Sequence, residues 1–359
     1  MIERAPLSDL VSRILTENCS IDVVRAAEQD RWAPGLWKVL AAAGVPWVSV
    51  AEEAGGSGGT FADALTILLV AGQHAAPVPL AETGPLAGWL LAGAGLEVPT
   101  APLTVAAHPT DNVTLGRRGT EWILDGEIHR VPWARAAERI VLLARVDGAE
   151  HVVTVPSDRG EIRDRANLAG EPRESVRFDS VVVERENVGL AAAGVDQGVL
   201  RLRGALARAA LMAGALERLT VETIEYSGVR HQFNRPISQF QAVRMHLVKI
   251  AQRTAWARLA VDVAIEAAEA SEVLPLFEIA SAKTLAGEAA GITAASAHQV
   301  HGAIGMTREY HLHTITRRLW AWRDEFGSER HWSTVLGTEI ANRGAHELWP
   351  RLTQDLDES

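Results

Sequence analysis

The helical periodicity of the second half constrains this chain most. Three stretches, Asp196 to Ser227, Ser238 to Ala270 and Leu276 to His301, place apolar residues at three- and four-residue spacing. In the middle stretch Phe240, Val243, Leu247, Ile250 and Val261 fall near one face. Helices this long with apolar stripes pack side by side as an up-and-down bundle. Ser238, just after Pro236, is the expected N-cap of the middle helix, and Gly302 is expected to end the third in a left-handed conformation.

Upstream the texture differs. Residues from about 7 to 100 are again helical in pattern, in runs such as "LSDLVSRILTE" and "FADALTILLVAGQHAA", broken by "AEEAGGSGG" and "HAAPVPLAETGP". Between about 101 and 190 the pattern becomes short β-branched segments, "EWILDG", "RIVLLARV", "HVVTVP" and "SVRFDSVVV", separated by Gly, Pro and Asp turns. That spacing predicts a small antiparallel sandwich or barrel. The expected fold is multidomain α+β: an N-terminal helical domain over residues 1–100, a central antiparallel β-domain over 101–192 and a C-terminal helical bundle over 193–359.

Composition narrows the partners. The chain has 359 residues with 47% apolar content, enough for a sizeable core, and a net charge of −10 that disfavours nucleic acid or an anionic membrane surface. One cysteine, Cys19, permits no internal disulfide and fits a reducing cytoplasm. The N-terminus "MIERAPLSDL" does not read as a signal peptide, and no segment has the apolar length of a membrane span.

Gly55, Gly56, Ser57, Gly58 and Gly59 follow a strand-like "VPWVSV", but Thr60 and Phe61 stand where a phosphate loop needs lysine, so the loop reads as a helix connector. His298, His301, His311, His313 and His331 lack the spacing of a metal site; no metal is expected. The fragment "GVRHQFNRPISQFQAVRMH" differs in kind. Arg230, His231, Gln232, Asn234 and Arg235 concentrate donors between two long helices, with Phe233 and Pro236 among them. An arginine fork for a pyrophosphate beside an aromatic for an adenine would explain the set, and a charged interhelical turn would too. "AHQVHGAIGMTREYHLHTITRRL" adds the Gln299 amide and Gly302 at a helix end.

Together "RHQFNRPISQFQAV" and "QVHGAIGMTREYHLH", with "AEEAGGSGGTFADAL" and "FDSVVVERENVGL", resemble the acyl-CoA dehydrogenase family over nearly the whole chain. The resemblance implies a C-terminal four-helix bundle and FAD whose ADP part is gripped across a subunit boundary. Arg230 would meet the pyrophosphate, Gln232 and Phe233 would flank the adenosine, and Gln299 with the Gly302 backbone would hold the other side. The second glycine usual in the family is here Ala303. It further implies α,β-dehydrogenation of an acyl-CoA thioester, a dimeric or tetrameric assembly with itself or a paralogous subunit, and electron-transfer flavoprotein as acceptor.

Against that pattern the base is displaced. The usual glutamate position before a Gly-Thr pair is Phe326, followed by Gly327 and Ser328, and Glu325 lies one residue early in "RRLWAWRDEFGSERHW". The alternative position on the first bundle helix is Gly204, in a stretch carrying Arg201, Arg203 and Arg208. In the β-domain His108, Pro109, Thr110 and Asp111 replace the flavin-contacting Thr-Glu-Pro segment, with Trp133 expected at the flavin wall. Two readings follow. Either Glu325 is the base of a self-sufficient enzyme, or the chain completes the flavin site of a partner that carries the base. In the second reading Asp324 and Glu325 face solvent while Gly327 and Ser328 touch the neighbour's flavin.

Overall fold

The computed structural model describes residues 5–108 and 111–353; Pro109 and Thr110 lie outside them. Helices α1 (Ala5–Asn18), α2 (Ile21–Asp30), α3 (Pro34–Ala42) and α4 (Phe61–Gln73) open the chain, and a π-helical segment, Glu82–Gly88, runs into α5 (Trp89–Gly93). "VPWVSV" is a 3-10 turn at Val45–Trp47, not a strand. The glycine loop folds back on it: the Gly59 and Gly58 N–H groups donate to the carbonyls of Val48 and Val50 at 2.8 and 2.9 Å. Thr60 then starts α4 through a reciprocal capping box with Asp63.

Eight strands follow, β1 (Leu103–Ala106), β2 (Asn112–Arg118), β3 (Glu121–Pro132), β4 (Arg139–Val146), β5 (Ala149–Pro156), β6 (Glu161–Arg163), β7 (Arg173–Val183) and β8 (Val188–Leu190). They form two four-stranded sheets, β1-β4-β5-β8 and β2-β3-β7-β6. Pairing is antiparallel except for β1 with β4, which run parallel because the chain visits the other sheet between them. Leu124, Ile128, Ile140, Val153 and Phe178 make a core of their own between the sheets.

Helix α6 (Gln197–Val229) starts on Asp196, whose carboxylate accepts the Val199 N–H at 2.8 Å. A short hairpin, β9 (His231–Gln232) and β10 (Arg235–Pro236), leads to α7 (Gln241–Ala270), α8 (Leu276–His301), α9 (Leu312–Asp324), α10 (Glu329–Arg343) and α11 (Leu348–Thr353). Helices α6 to α9 form the four-helix bundle, with α10 against α8. Ser238 is not a cap: Ile237–Gln239 is a 3-10 turn and Phe240 precedes α7. The buried Ile237, whose N–H donates to the Arg230 carbonyl at 2.8 Å, ties that turn to the end of α6 and delays the helix. Gly302 does end α8, at φ 66°, its N–H on the His298 carbonyl. Helix α7 buries Ile250, Ala257 and Val261 but leaves Met245, Val248, Trp256, Leu259 and Val263 exposed. No helix among the described residues is long and apolar enough to cross a membrane.

The bundle is joined to the N-terminal helices by a close crossing of α4 and α6. A Cβ on Gly72 would lie 2.0 Å from the Leu211 carbonyl oxygen, and one on Gly214 1.8 Å from that of Leu69. Neither backbone can yield, so Gly214→Ala forces the helices apart. A loss of about 1–3 kcal/mol in chemical denaturation is expected; unchanged stability would show that the crossing is looser than described.

Candidate functional site

Helix α9 ends at Asp324, and the next three residues make a tight turn with φ of 55° at Phe326 and 103° at Gly327. Lys283 of α8, fully buried, holds this turn by donating from Nζ to the carbonyls of Arg323 at 2.6 Å and Gly327 at 2.8 Å. Burial pushes its pKa down to about 7 against the opposing pull of Glu325 and Asp324. Trp332 Nε1 donates to the Phe326 carbonyl at 3.1 Å. A turn pinned at three carbonyls has no freedom to slide by one residue.

Glu325 leaves the turn inward, correcting the expectation that it faces solvent; only Asp324 is exposed. Arg173 of β7 clasps it with Nε at 2.7 Å and Nη2 at 3.0 Å, and Arg208 of α6 donates from Nε at 2.6 Å. Arg208 also pairs with buried Glu82 of the π-helical segment. Arg173 reaches Glu171 at 3.2 Å, which accepts from Trp322 Nε1 at 3.0 Å and pairs with Arg318 at 3.1 Å. Burial alone would raise the Glu325 pKa, but the charges and hydrogen bonds of Arg173 and Arg208 outweigh it and hold the carboxyl at about 2. A carboxylate so bound is a poor proton acceptor, which weighs against Glu325 as the base. Sequence reading missed the network because Glu325 lies 117 and 152 residues from its two arginines, and Glu82 126 residues from Arg208.

The two positions at which a base was sought meet in space. A Cβ on Gly204 would fall 2.2 Å from the Phe326 ring, so the ring fills the room that the missing side chain leaves. Neither residue brings a carboxylate. Phe326 forms part of the wall of a cavity of about 1100 Å³ between the β-domain and the bundle, with Pro132, Leu168, Trp320 and Arg130 among the other walls. Trp133, expected there, is 3% exposed and turned away beneath Arg173, whose guanidinium sits 5.8 Å from its ring. Asp111 closes a turn, accepting the N–H groups of His108 at 2.9 Å and His129 at 2.7 Å, and burial raises its pKa to about 6 against those bonds.

The other expected residues gather mainly at the hairpin end of the bundle. Arg230, Gln232 and Phe233 are exposed, Phe233 by 88% with φ 49°, and the Arg230 guanidinium has no partner among the described residues. Tyr226 Oη donates to the His301 carbonyl at 3.3 Å, bringing this end of α6 beside Gly302. A Cβ on Gly302 would meet nothing within 4 Å, so its backbone is open to close approach. Gln299 opens a groove of about 750 Å³ along α8, past Ser296, Gly291 and Gly287, toward Arg323 and Glu329 beside the turn. Ser328, at the start of α10, lies at that far end, about 24 Å along α8 from Gln299 by helical rise. Free donors, an open backbone and a long groove fit an extended nucleotide such as the ADP part of FAD. The large cavity does not fit a flavin ring set over a base, since Phe326 and Gly204 supply none. Among the described residues no cluster of three His, Cys, Asp or Glu side chains is arranged for a metal ion.

A family model described as "Acyl-CoA dehydrogenase, C-terminal domain" matches residues 197–331. The chain is 26% identical over 319 residues to the acyl-CoA dehydrogenase IpdE2 of Mycolicibacterium smegmatis, covering 88% of this chain and 92% of that protein. The ChsE4-ChsE5 complex from Mycobacterium tuberculosis superposes with TM-score 0.85 at 23% identity, over 94% of this chain and 97% of the matched chain. The Tcur3481-Tcur3483 steroid ACAD gives TM-score 0.84 at 24% identity, over 96% and 99%.

Removing the Glu325 charge leaves Arg173 and Arg208 short of counter-charge in a buried site, so Glu325→Gln is expected to cost about 3–5 kcal/mol of stability. Because the folded pKa lies below the ordinary 4.5, the carboxylate's contribution is complete above that value and is lost as pH falls toward about 2. Denaturation curves across this acid range measure both effects. A Gln variant as stable as the wild type, with the same acid limb, would contradict the assignment.

Proposed function

The chain belongs to the acyl-CoA dehydrogenase family, and from that premise we propose that it is the base-free partner of a paralogous subunit, completing that subunit's FAD site in a mixed assembly. The assembly would carry out α,β-dehydrogenation of an acyl-CoA thioester. The observation that carries this reading is the Phe326 ring seated on Gly204: both base positions are without a carboxylate and Glu325 is bound by two arginines. At the hairpin end the Arg230 and Gln232 side chains meanwhile have no partner among the described residues. FAD, when bound, accepts the hydride. This chain's contribution is to orient it: the Arg230 fork on the pyrophosphate, Gln232 and Phe233 about the adenosine, Gln299 and the open Gly302 backbone opposite, and Ser328 nearer the ring. The proton is taken by the partner chain.

A partner face is available. Met245, Val248, Trp256, Leu259 and Val263 line the exposed side of α7, an apolar strip that association would cover. The complex named for ChsE4 and ChsE5, which shares this fold, gives a precedent for two different chains together. A dimer or a pair of dimers is expected, heterotetrameric in the mixed case, with electron-transfer flavoprotein as acceptor by family resemblance. The steroid enzyme among the similar structures brings steroid-derived thioesters alongside fatty and branched ones as candidate substrates. The single cysteine, Cys19, suits a cytoplasmic setting.

Visible absorbance tests this reading. The chain purified alone should be colourless, and should carry flavin only when produced with its paralogue; one flavin per chain in the isolated protein would overturn the partner role. In the mixed complex Arg230→Ala should weaken FAD retention by at least ~2 kcal/mol, read as flavin lost on dilution. Full flavin content in that variant would remove the proposed clamp.

A further inference from the structure

The large cavity has a property that the flavin reading does not use. Arg130, Arg165 and Arg201 line it without an acidic partner among the described residues. Other arginines nearby are accounted for. Arg173 and Arg208 are bound by Glu171, Glu82 and Glu325, and Arg203 donates from Nε to the Pro85 carbonyl at 2.7 Å with the Phe61 ring 3.5 Å away. Arg201 is half-buried on the cavity wall, with no hydrogen bond or ion pair from its guanidinium among the described residues. A half-buried guanidinium without a counter-charge is stabilised by an anion that enters the cavity beside it.

The surroundings define what would complete it. Asp324 and Glu325 also face the cavity, but Glu325 is neutralised by two arginines, so the lining keeps an excess of positive charge. Burial first, and Arg201 second, lower the pKa of His331; burial, Arg130, His129 and Arg201 do the same to His108. These imidazoles therefore stay neutral at physiological pH and serve as hydrogen-bonding groups. Between the cations stand apolar walls, Val105, Pro132, Leu168, Trp320 and Phe326. The space of about 1100 Å³ is much larger than a simple inorganic anion needs.

We propose that this cavity binds a small organic polyanion, an apolar body bearing several carboxylate or phosphate groups, held by charge-assisted hydrogen bonds from Arg130, Arg165 and Arg201. The site is separate from the hairpin clamp and does not depend on the partner role. The Phe326 ring, seated against Gly204, supplies a flat wall for the ligand body.

Calorimetric titration of the full chain tests this with isophthalate, a flat dicarboxylate, with inorganic pyrophosphate, and with neutral isophthalamide. Saturable binding of either anion and none of the amide is expected, and the tighter anion tells carboxylate from phosphate. Arg201→Gln and Arg130→Gln should each weaken binding about tenfold. Arg165→Gln, on an exposed loop where folding is not at stake, should act in the same direction. Arg230→Ala should leave anion binding unchanged while stripping flavin from the mixed complex, which separates failure here from failure of the partner role. Absence of saturable binding by both anions, or binding indifferent to all three cavity substitutions, would overturn the proposal.

Discussion

The Glu325 carboxylate between Arg173 and Arg208 is the contact on which the arrangement of this molecule depends. Through it the π-helical segment, the second β-sheet and the bundle share one buried chain of charge, Glu82–Arg208–Glu325–Arg173–Glu171–Arg318. Taking such charges out of water is unfavourable unless each is matched, so the alternation of sign along the chain is a condition of folding. It also decides chemistry. A carboxylate used as counter-ion to two guanidinium groups is stabilised in its ionised form, and whatever stabilises the anion weakens the base.

Around that contact the rest of the site falls into order. Helix α6 carries arginines where an acid would serve catalysis, because Arg208 must reach both Glu82 and Glu325 while Arg203 satisfies the carbonyl of Pro85 inside the π-helical segment. Gly204 lies between them and admits Phe326, whose strained φ of 55° is held by Lys283 and Trp332. Inward Glu325 and plugging Phe326 are consecutive residues of one pinned turn. The hairpin end, remote from this charge chain, keeps Arg230 and Gln232 exposed and its glycine open, as the proposed service to a neighbouring subunit requires.

Much of this was legible in the sequence, for local reasons. Apolar spacing placed α8 at Leu276–His301, and the donor-rich fragment around Arg230 marked the break between α6 and α7. Gly204 and Phe326 were recognisable as positions without a carboxylate. What the sequence withheld was non-local. The pairing of Glu325 with arginines more than a hundred residues away leaves no spacing signature, and so Glu325 read as an exposed helix end. Trp133 was misplaced because aromatic identity does not say which side of a left-handed turn, here φ 55°, receives the ring. Ser238 failed as a cap because Ile237 is buried and bound to Arg230, a tertiary contact that overrides a local preference.

The central claim is that Glu325 is a structural anion. A 13C NMR titration of the chain labelled at glutamate carboxyls, with the Glu325 signal assigned by Glu325→Gln, reads its ionisation directly. The account predicts a carboxylate that stays ionised from about pH 8 down to the acid limit of folding, with any midpoint well below the ordinary glutamate value of about 4.3. A midpoint above about 5, the signature of a desolvated base free of its arginines, would contradict it.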